Sequence, residues 1–169
     1  MSAGRWARLL AGTAAGTVLL AGCGDKPGLD LSAVEAYLAS SQATTYGTDA
    51  DIGRAHCAGH PALKEGMTLR CTLAVSDASV PYRLTLHHVH ATKVSVDVAL
   101  AAVVLRAADI QEFVRQQLPK DFAQATVDCG GDYLVTDVGE TVDCTVASGA
   151  QTQKVTVTVS DEAGRIAIT

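Results

Sequence analysis

Gly66-Met67-Thr68-Leu69-Arg70-Cys71-Thr72-Leu73 returns as Gly139-Glu140-Thr141-Val142-Asp143-Cys144-Thr145-Val146, at a constant offset of 73 residues. Glycine, threonine, cysteine and threonine coincide, so the chain is read as an internal duplication. Working outward, Cys57 precedes Cys71 by 14 residues and Cys129 precedes Cys144 by 15. Downstream, Tyr82–Leu86 lines up with Val155–Val159, and Lys93–Val96 with Arg165–Ile168. Upstream, Leu29–Leu38 answers Leu105–Val114. The offset drifts from 76 to 72 along the chain, as small differences in loop length produce.

Each repeat opens with a helical pattern. Val34, Tyr37, Leu38 and Ser41 fall on one face in the first, with Ser32 and Glu35 spaced as a capping box. Ile110, Phe113, Val114 and Leu118 form the stripe in the second, where Asp109 and Glu112 repeat the cap spacing and Pro119 stops the helix. Alternating strands follow over Thr68–Val75 and Tyr82–Val89, and again over Val142–Val146 and Lys154–Val159. Asp77-Ala78-Ser79 with Pro81, Ser148-Gly149-Ala150, and Asp161–Gly164 are the turn formers between strands. The predicted fold class is α+β: two repeated units, each one helix on an antiparallel sheet of three to four strands, with one disulfide per unit. The units are placed at residues 29–100 and 101–169.

The N-terminus carries an address. Arg5 and Arg8 precede an apolar run that ends in Leu20-Ala21-Gly22-Cys23, a lipobox. A basic start, a short apolar stretch and small residues at the cut make residues 1–22 a lipoprotein signal peptide, with diacylglycerol expected on Cys23 and residues 23–28 as a lipidated tether. The run from Leu9 to Ala21 is about a dozen residues where a bilayer span needs roughly 20. The expected location is the outer face of the cytoplasmic membrane, with the lipid on Cys23 as the membrane contact.

Cleavage would leave 147 of 169 residues and take the formal charge from −5 to −7. The remaining basic residues are scattered without interleaved aromatics, which speaks against a nucleic-acid partner. Aromatics make up 4% of the chain, so the core depends on Ala, Val and Leu, and covalent staples gain weight. Outside the cytoplasm disulfides are permitted, and the repeat selects Cys57 with Cys71 and Cys129 with Cys144. Neither pair has the Cys-x-x-Cys spacing of a redox enzyme or the close pairs of a thiolate zinc site.

His87-His88-Val89-His90 is the tract that could carry chemistry, because His88 and His90 share a strand face at a spacing that metal sites use. His56 and His60 are too remote in sequence to be assigned as a third ligand. The acids Asp128, Asp132, Asp137, Glu140 and Asp143 lack the EF-hand pattern and read as a solvated surface. No nucleophile elbow, paired-carboxylate signature or phosphate loop is present in the sequence.

With the lipobox and both cysteine units in place, the chain resembles actinobacterial envelope lipoproteins that carry the domain of unknown function numbered 4333, here in tandem. That family's pattern is a helix, a Val-x-Cys-Pro segment, a Gly-x-Thr-apolar-x-Cys-Thr strand and a closing pair of strands. Val127-Asp128-Cys129 with Gly139–Thr145 fits it, as does Cys57 with Gly66–Thr72. Ala58 and Gly130 stand where the family usually has proline. The resemblance implies an envelope address and a disulfide fold, and supplies no catalytic residues. The expected function is a non-enzymatic binding or scaffolding module without cofactor or metal, its partner an envelope protein or cell-wall component. The alternatives are a metal-handling protein or enzyme using the His87–His90 tract, and an inhibitor of an envelope hydrolase.

Overall fold

The computed structural model describes residues 14–19, 29–59, 63–90, 93–122 and 124–169; at 14–19, 88, 90, 93 and 121 it describes the backbone. Cys23, its tether and His60 lie outside the described residues. The protein is α+β, with two helices, antiparallel sheets and two disulfides. It divides into two compact units between Ala101 and Ala102.

The first unit contains β1 (Ala14–Leu19), α1 (Leu31–Tyr46), β2 (Ile52–Cys57), β3 (Thr68–Val75), β4 (Ala78–His90) and β5 (Lys93–Leu100). Its sheet runs β1-β5-β4-β3-β2, antiparallel throughout. Period-two patterning explains β3: Leu69, Cys71, Leu73 and Val75 are buried, while Thr68, Arg70, Thr72 and Ala74 between them are exposed. Tyr82, Leu84 and Leu86 of β4 and Val94, Val96 and Val98 of β5 extend the buried face. The helix contributes Val34, Leu38, Gln42 and Tyr46, spaced by four so that they form one stripe.

The capping prediction for α1 needs correction. Asp30, not Ser32, is the N-cap: its Oδ1 accepts from Ser32 N at 3.0 Å, Ala33 N at 3.3 Å and the Ser32 hydroxyl at 2.6 Å. The Ser32 hydroxyl and the Ala33 amide hold the Asp30 carboxyl below its ordinary value. Ser32 becomes the donor because Asp30 offers an acceptor two residues earlier, and Glu35 reaches β2 instead.

The second unit contains β6 (Val103–Arg106), α2 (Ala107–Gln117), a 3-10 turn at Lys120–Phe122, β7 (Thr126–Asp128), β8 (Tyr133–Thr136), β9 (Thr141–Ser148), β10 (Gln151–Val159) and β11 (Ile166–Ile168). One sheet runs β11-β10-β9-β7, and β6 pairs with β8 in a separate two-stranded ladder. Ile110 and Val114 of α2 pack with Val127, Val146, Val157 and Val159, and Phe113 and Leu118 cover the cluster's margin. Here too the predicted box is not the cap: Arg106 occupies the N-cap position without a side-chain bond, and Glu112 turns instead to Arg115 and Gln116. Asp109 sits in the first turn, where its charge complements the helix dipole. The last turn ends before Pro119, with Leu118 N donating to Arg115 O.

Among the described residues, no helix is long and apolar enough to cross a membrane.

Candidate functional site

One constellation of polar groups lies where β4 runs on beyond its pairing with β3. Gly66 N donates to Leu86 O and Leu86 N donates to Met67 O, both at 2.8 Å, which ties the loop before β3 to β4. Gly66 adopts φ +73, a left-handed conformation that lets the chain turn into β3 at this approach. The tie brings Glu65 beside His87 and Val89: Val89 N donates to Glu65 Oε2 at 3.1 Å, and Glu65 Oε1 lies 3.7 Å from His87 Nδ1. On the other side of the ring, His87 Nε2 lies 3.0 Å from Asp97 Oδ2. This follows from register, because His87 is paired with Ser95 and Asp97 is two residues further along the same face.

Both ring nitrogens of His87 therefore face carboxylates from different elements. Such an imidazole is oriented, and in its protonated form it ties loop, β4 and β5 together electrostatically. All three side chains are at least a third exposed, so the tie is worth little to stability. Of the His87–His90 tract this site uses His87, and a pairing irregularity separates His87 from His90. The His88 and His90 side chains lie outside what is described. Among the described residues, no group of three or more His, Cys, Asp and Glu could hold a metal ion.

The bridges are built by strand register. Cys57 on β2 stands opposite Cys71 on β3, and Asp128 opposite Thr145 brings Cys129 alongside Cys144. All four cysteines are at most 5% exposed. The first bridge has an additional hold: Glu35 Oε1 accepts from Cys57 N at 2.7 Å and lies 3.6 Å from His56 Nδ1. Sequence spacing had assigned Glu35 to its own helix end, and nothing local signals a partner 22 residues away.

A second constellation missing from the sequence analysis lies under α1. Tyr46 and Tyr82 share a 2.7 Å hydrogen bond between their hydroxyls, and the Tyr82 hydroxyl donates to Gln42 Oε1 at 3.3 Å. All three residues are at most 5% exposed. Burial, and then the bond to Tyr46, push the Tyr82 phenol far above its ordinary value, so it stays neutral and acts as a fixed polar junction. Tyr37, on the same helix, is raised by burial and by the charge of Asp97.

The acidic series of the second unit is engaged locally. Asp128 Oδ1 accepts from Gly130 N at 2.9 Å, and Asp143 Oδ1 accepts from the Thr156 hydroxyl at 2.9 Å. Glu140 Oε2 accepts from Asp137 N and from the Thr136 hydroxyl, each at 3.0 Å, and these bonds hold its carboxyl below the ordinary value. These acids close turns and strand edges of the second unit.

Residues 89–164 match the family described as Domain of unknown function (DUF4333). The match takes in β5, β6, α2, β7–β10 and the Cys129–Cys144 bridge, and leaves Cys57 and Cys71 outside. No curated protein and no solved structure matches the chain. The two positions lacking the proline expected from the family resemblance have clear reasons. Ala58 N donates to Arg70 O at 3.0 Å, a bond proline cannot make. Gly130 has φ +78 and uses its N–H on Asp128, and proline can do neither.

Proposed function

We propose that the protein is a lipoprotein of the actinobacterial envelope type, carried at the outer face of the cytoplasmic membrane on lipid attached to Cys23. In this reading it consists of two tandem units of common origin and serves as a non-enzymatic binding or scaffolding module for an envelope protein or cell-wall component. The observation that carries the reading is the repeated placement of a cross-strand bridge in an aromatic-poor chain. Cys71 pairs with Tyr82 across one hairpin and Cys144 with Val155 across the other, at the same offset of 73. The strand order β5-β4-β3-β2 has its counterpart in β11-β10-β9-β7. The Gly66–Leu86 tie has its counterpart in Gly139 N donating to Val159 O at 2.8 Å. Buried bridges suit an oxidising compartment and small cores, and the lipobox supplies the route there.

The test is metabolic labelling with a clickable fatty acid in a bacterial host that processes lipoproteins. Wild type should take the label and fractionate with membranes, whereas Cys23→Ser should lose the label and retain residues 1–22. A Cys23→Ser chain that keeps its label, or a wild-type chain that takes none, would overturn the anchoring proposal.

A further inference from the structure

The two edges of the first sheet are not equivalent. At one edge, β2 carries a register irregularity between Ile52 and Ala55, is stapled at Cys57 and is held to α1 by Glu35. Irregularity and a covering helix are the devices that protect a sheet edge from unwanted pairing. At the other edge, β5 is an unbroken eight-residue strand with no proline and only Lys93 and Asp97 as charges. That edge is covered by β1, in a regular antiparallel ladder running from Ala14↔Val98 through Gly16↔Val96 and Val18↔Val94 to Leu19↔Lys93. With β1 in place, Val94, Val96 and Val98 are no more than 1% exposed.

The covering strand lies wholly within residues 1–22, the segment that processing before Cys23 would remove. We propose that the β5 edge of the mature protein is a strand-acceptor site. Its occupant is an uncharged, extended segment of a partner polypeptide, added antiparallel in the register that Ala14–Leu19 takes here. This inference rests on the lipoprotein reading and names the kind of partner that reading leaves open. Main-chain hydrogen bonds supply the affinity in such strand addition, and the residues opposite the valines supply the selectivity. The ladder seen here sets Ala14 and Gly16 opposite Val98 and Val96, and Val18 opposite Val94. A second copy of β5 turned about Val96 would set valine against valine at all three positions, a pattern the observed ladder has at Val18↔Val94 alone.

The experiment uses the mature lipoprotein in detergent micelles. Intact mass is read first, because a chain that retains residues 14–19 overturns the processing premise independently of the edge. The probe is a fluorescent peptide with the sequence of residues 13–20, made soluble by terminal lysines, together with two versions N-methylated at alternate residues. One set of alternate amides faces β5 and the other faces solvent. The unmodified peptide should bind and slow hydrogen exchange along Lys93–Leu100. One methylated version should bind at least roughly tenfold more weakly, and the other should bind as the parent does. Equal effects of both methylations, or protection confined to other strands, would overturn the proposal. A mature chain that dimerises through β5 and is not dissociated by the peptide would also overturn it, giving the edge to a second copy.

Discussion

Replacing Glu35 tests whether α1 is tied to the first bridge by one carboxylate. Hydrogen bonds to a charged acceptor contribute about 1.5–3 kcal/mol. The bond to Cys57 N is short at 2.7 Å, but the Glu35 side chain retains 25% exposure, which places it at the lower end. Alanine recovers a few tenths of a kcal/mol in helix propensity. Glu35→Ala should therefore destabilise the first unit by about 1.5 kcal/mol. Glu35→Gln keeps an acceptor oxygen and loses the charge, so its cost should be about half that. His56 is 82% exposed and 3.6 Å from the same oxygen, so His56→Ala should stay within about 0.5 kcal/mol of wild type. The assay is urea unfolding of the mature protein with its bridges intact, followed by tyrosine fluorescence. Three of the four tyrosines, Tyr37, Tyr46 and Tyr82, belong to the first unit. A change in midpoint at constant denaturant dependence reports stability alone. The reasoning is refuted if Glu35→Ala costs less than about 0.3 kcal/mol, or if His56→Ala costs as much as Glu35→Ala.

Three further outcomes are expected. Tyr82→Phe removes the hydroxyl that joins Tyr46 and Gln42 under α1, and should cost about 2 kcal/mol in the same unfolding assay, because a buried amide oxygen loses its donor; a loss below about 0.5 kcal/mol would mean that the junction is not a stabilising contact. A Cβ on Gly164, at φ +74, would meet Leu105 Cδ2 at 2.9 Å, whereas Gly139, at φ +88, has open space, so Gly164→Ala should destabilise more than the roughly 1 kcal/mol expected of Gly139→Ala; equal losses in thermal unfolding would contradict the packing argument. The Glu140 carboxyl is held low by Asp137 N and the Thr136 hydroxyl, so its contribution is complete above the ordinary value of 4.5 and is lost as pH falls through the depressed native value. The Asp137 amide resonance should accordingly titrate with a midpoint below 4.5, and a midpoint at or above it would contradict the assignment.

Strand content was legible where one face is buried and the other wet. The expected Thr68–Val75 strand coincides with β3, because its alternation reflects one-sided burial directly. Around Tyr82–Val89 and Lys154–Val159 the observed strands run further, to Ala78–His90 and Gln151–Val159, since hairpin pairing continues through polar residues that carry no pattern. β2 and β7 were not read: Ile52-Gly53-Arg54-Ala55-His56-Cys57 and Thr126-Val127-Asp128 have little periodicity, and their neighbours β3 and β9 hold them in place. The β6–β8 ladder was missed for the same reason, its strands being four residues each with residues 107–132 between them. The helices were located correctly in outline, but both predicted capping boxes failed. In each case the glutamate found another partner: Cys57 N for Glu35, Arg115 and Gln116 for Glu112. Local spacing cannot register a competing donor brought in by the tertiary fold. The polar constellations show the same limit. Glu65, His87 and Asp97 meet through sheet register and a loop tie, and Gln42, Tyr46 and Tyr82 meet through helix-on-sheet packing, so neither set has a signature in sequence.

The central claim is that two small units are each closed by their own bridge, and non-reducing peptide mapping of protein isolated from membranes tests it most directly. The account predicts Cys57 linked to Cys71 and Cys129 linked to Cys144, with none of the four thiols open to alkylation before reduction. A bridge joining one unit's cysteine to the other's, or stoichiometric free thiol at any of these four positions, would contradict it.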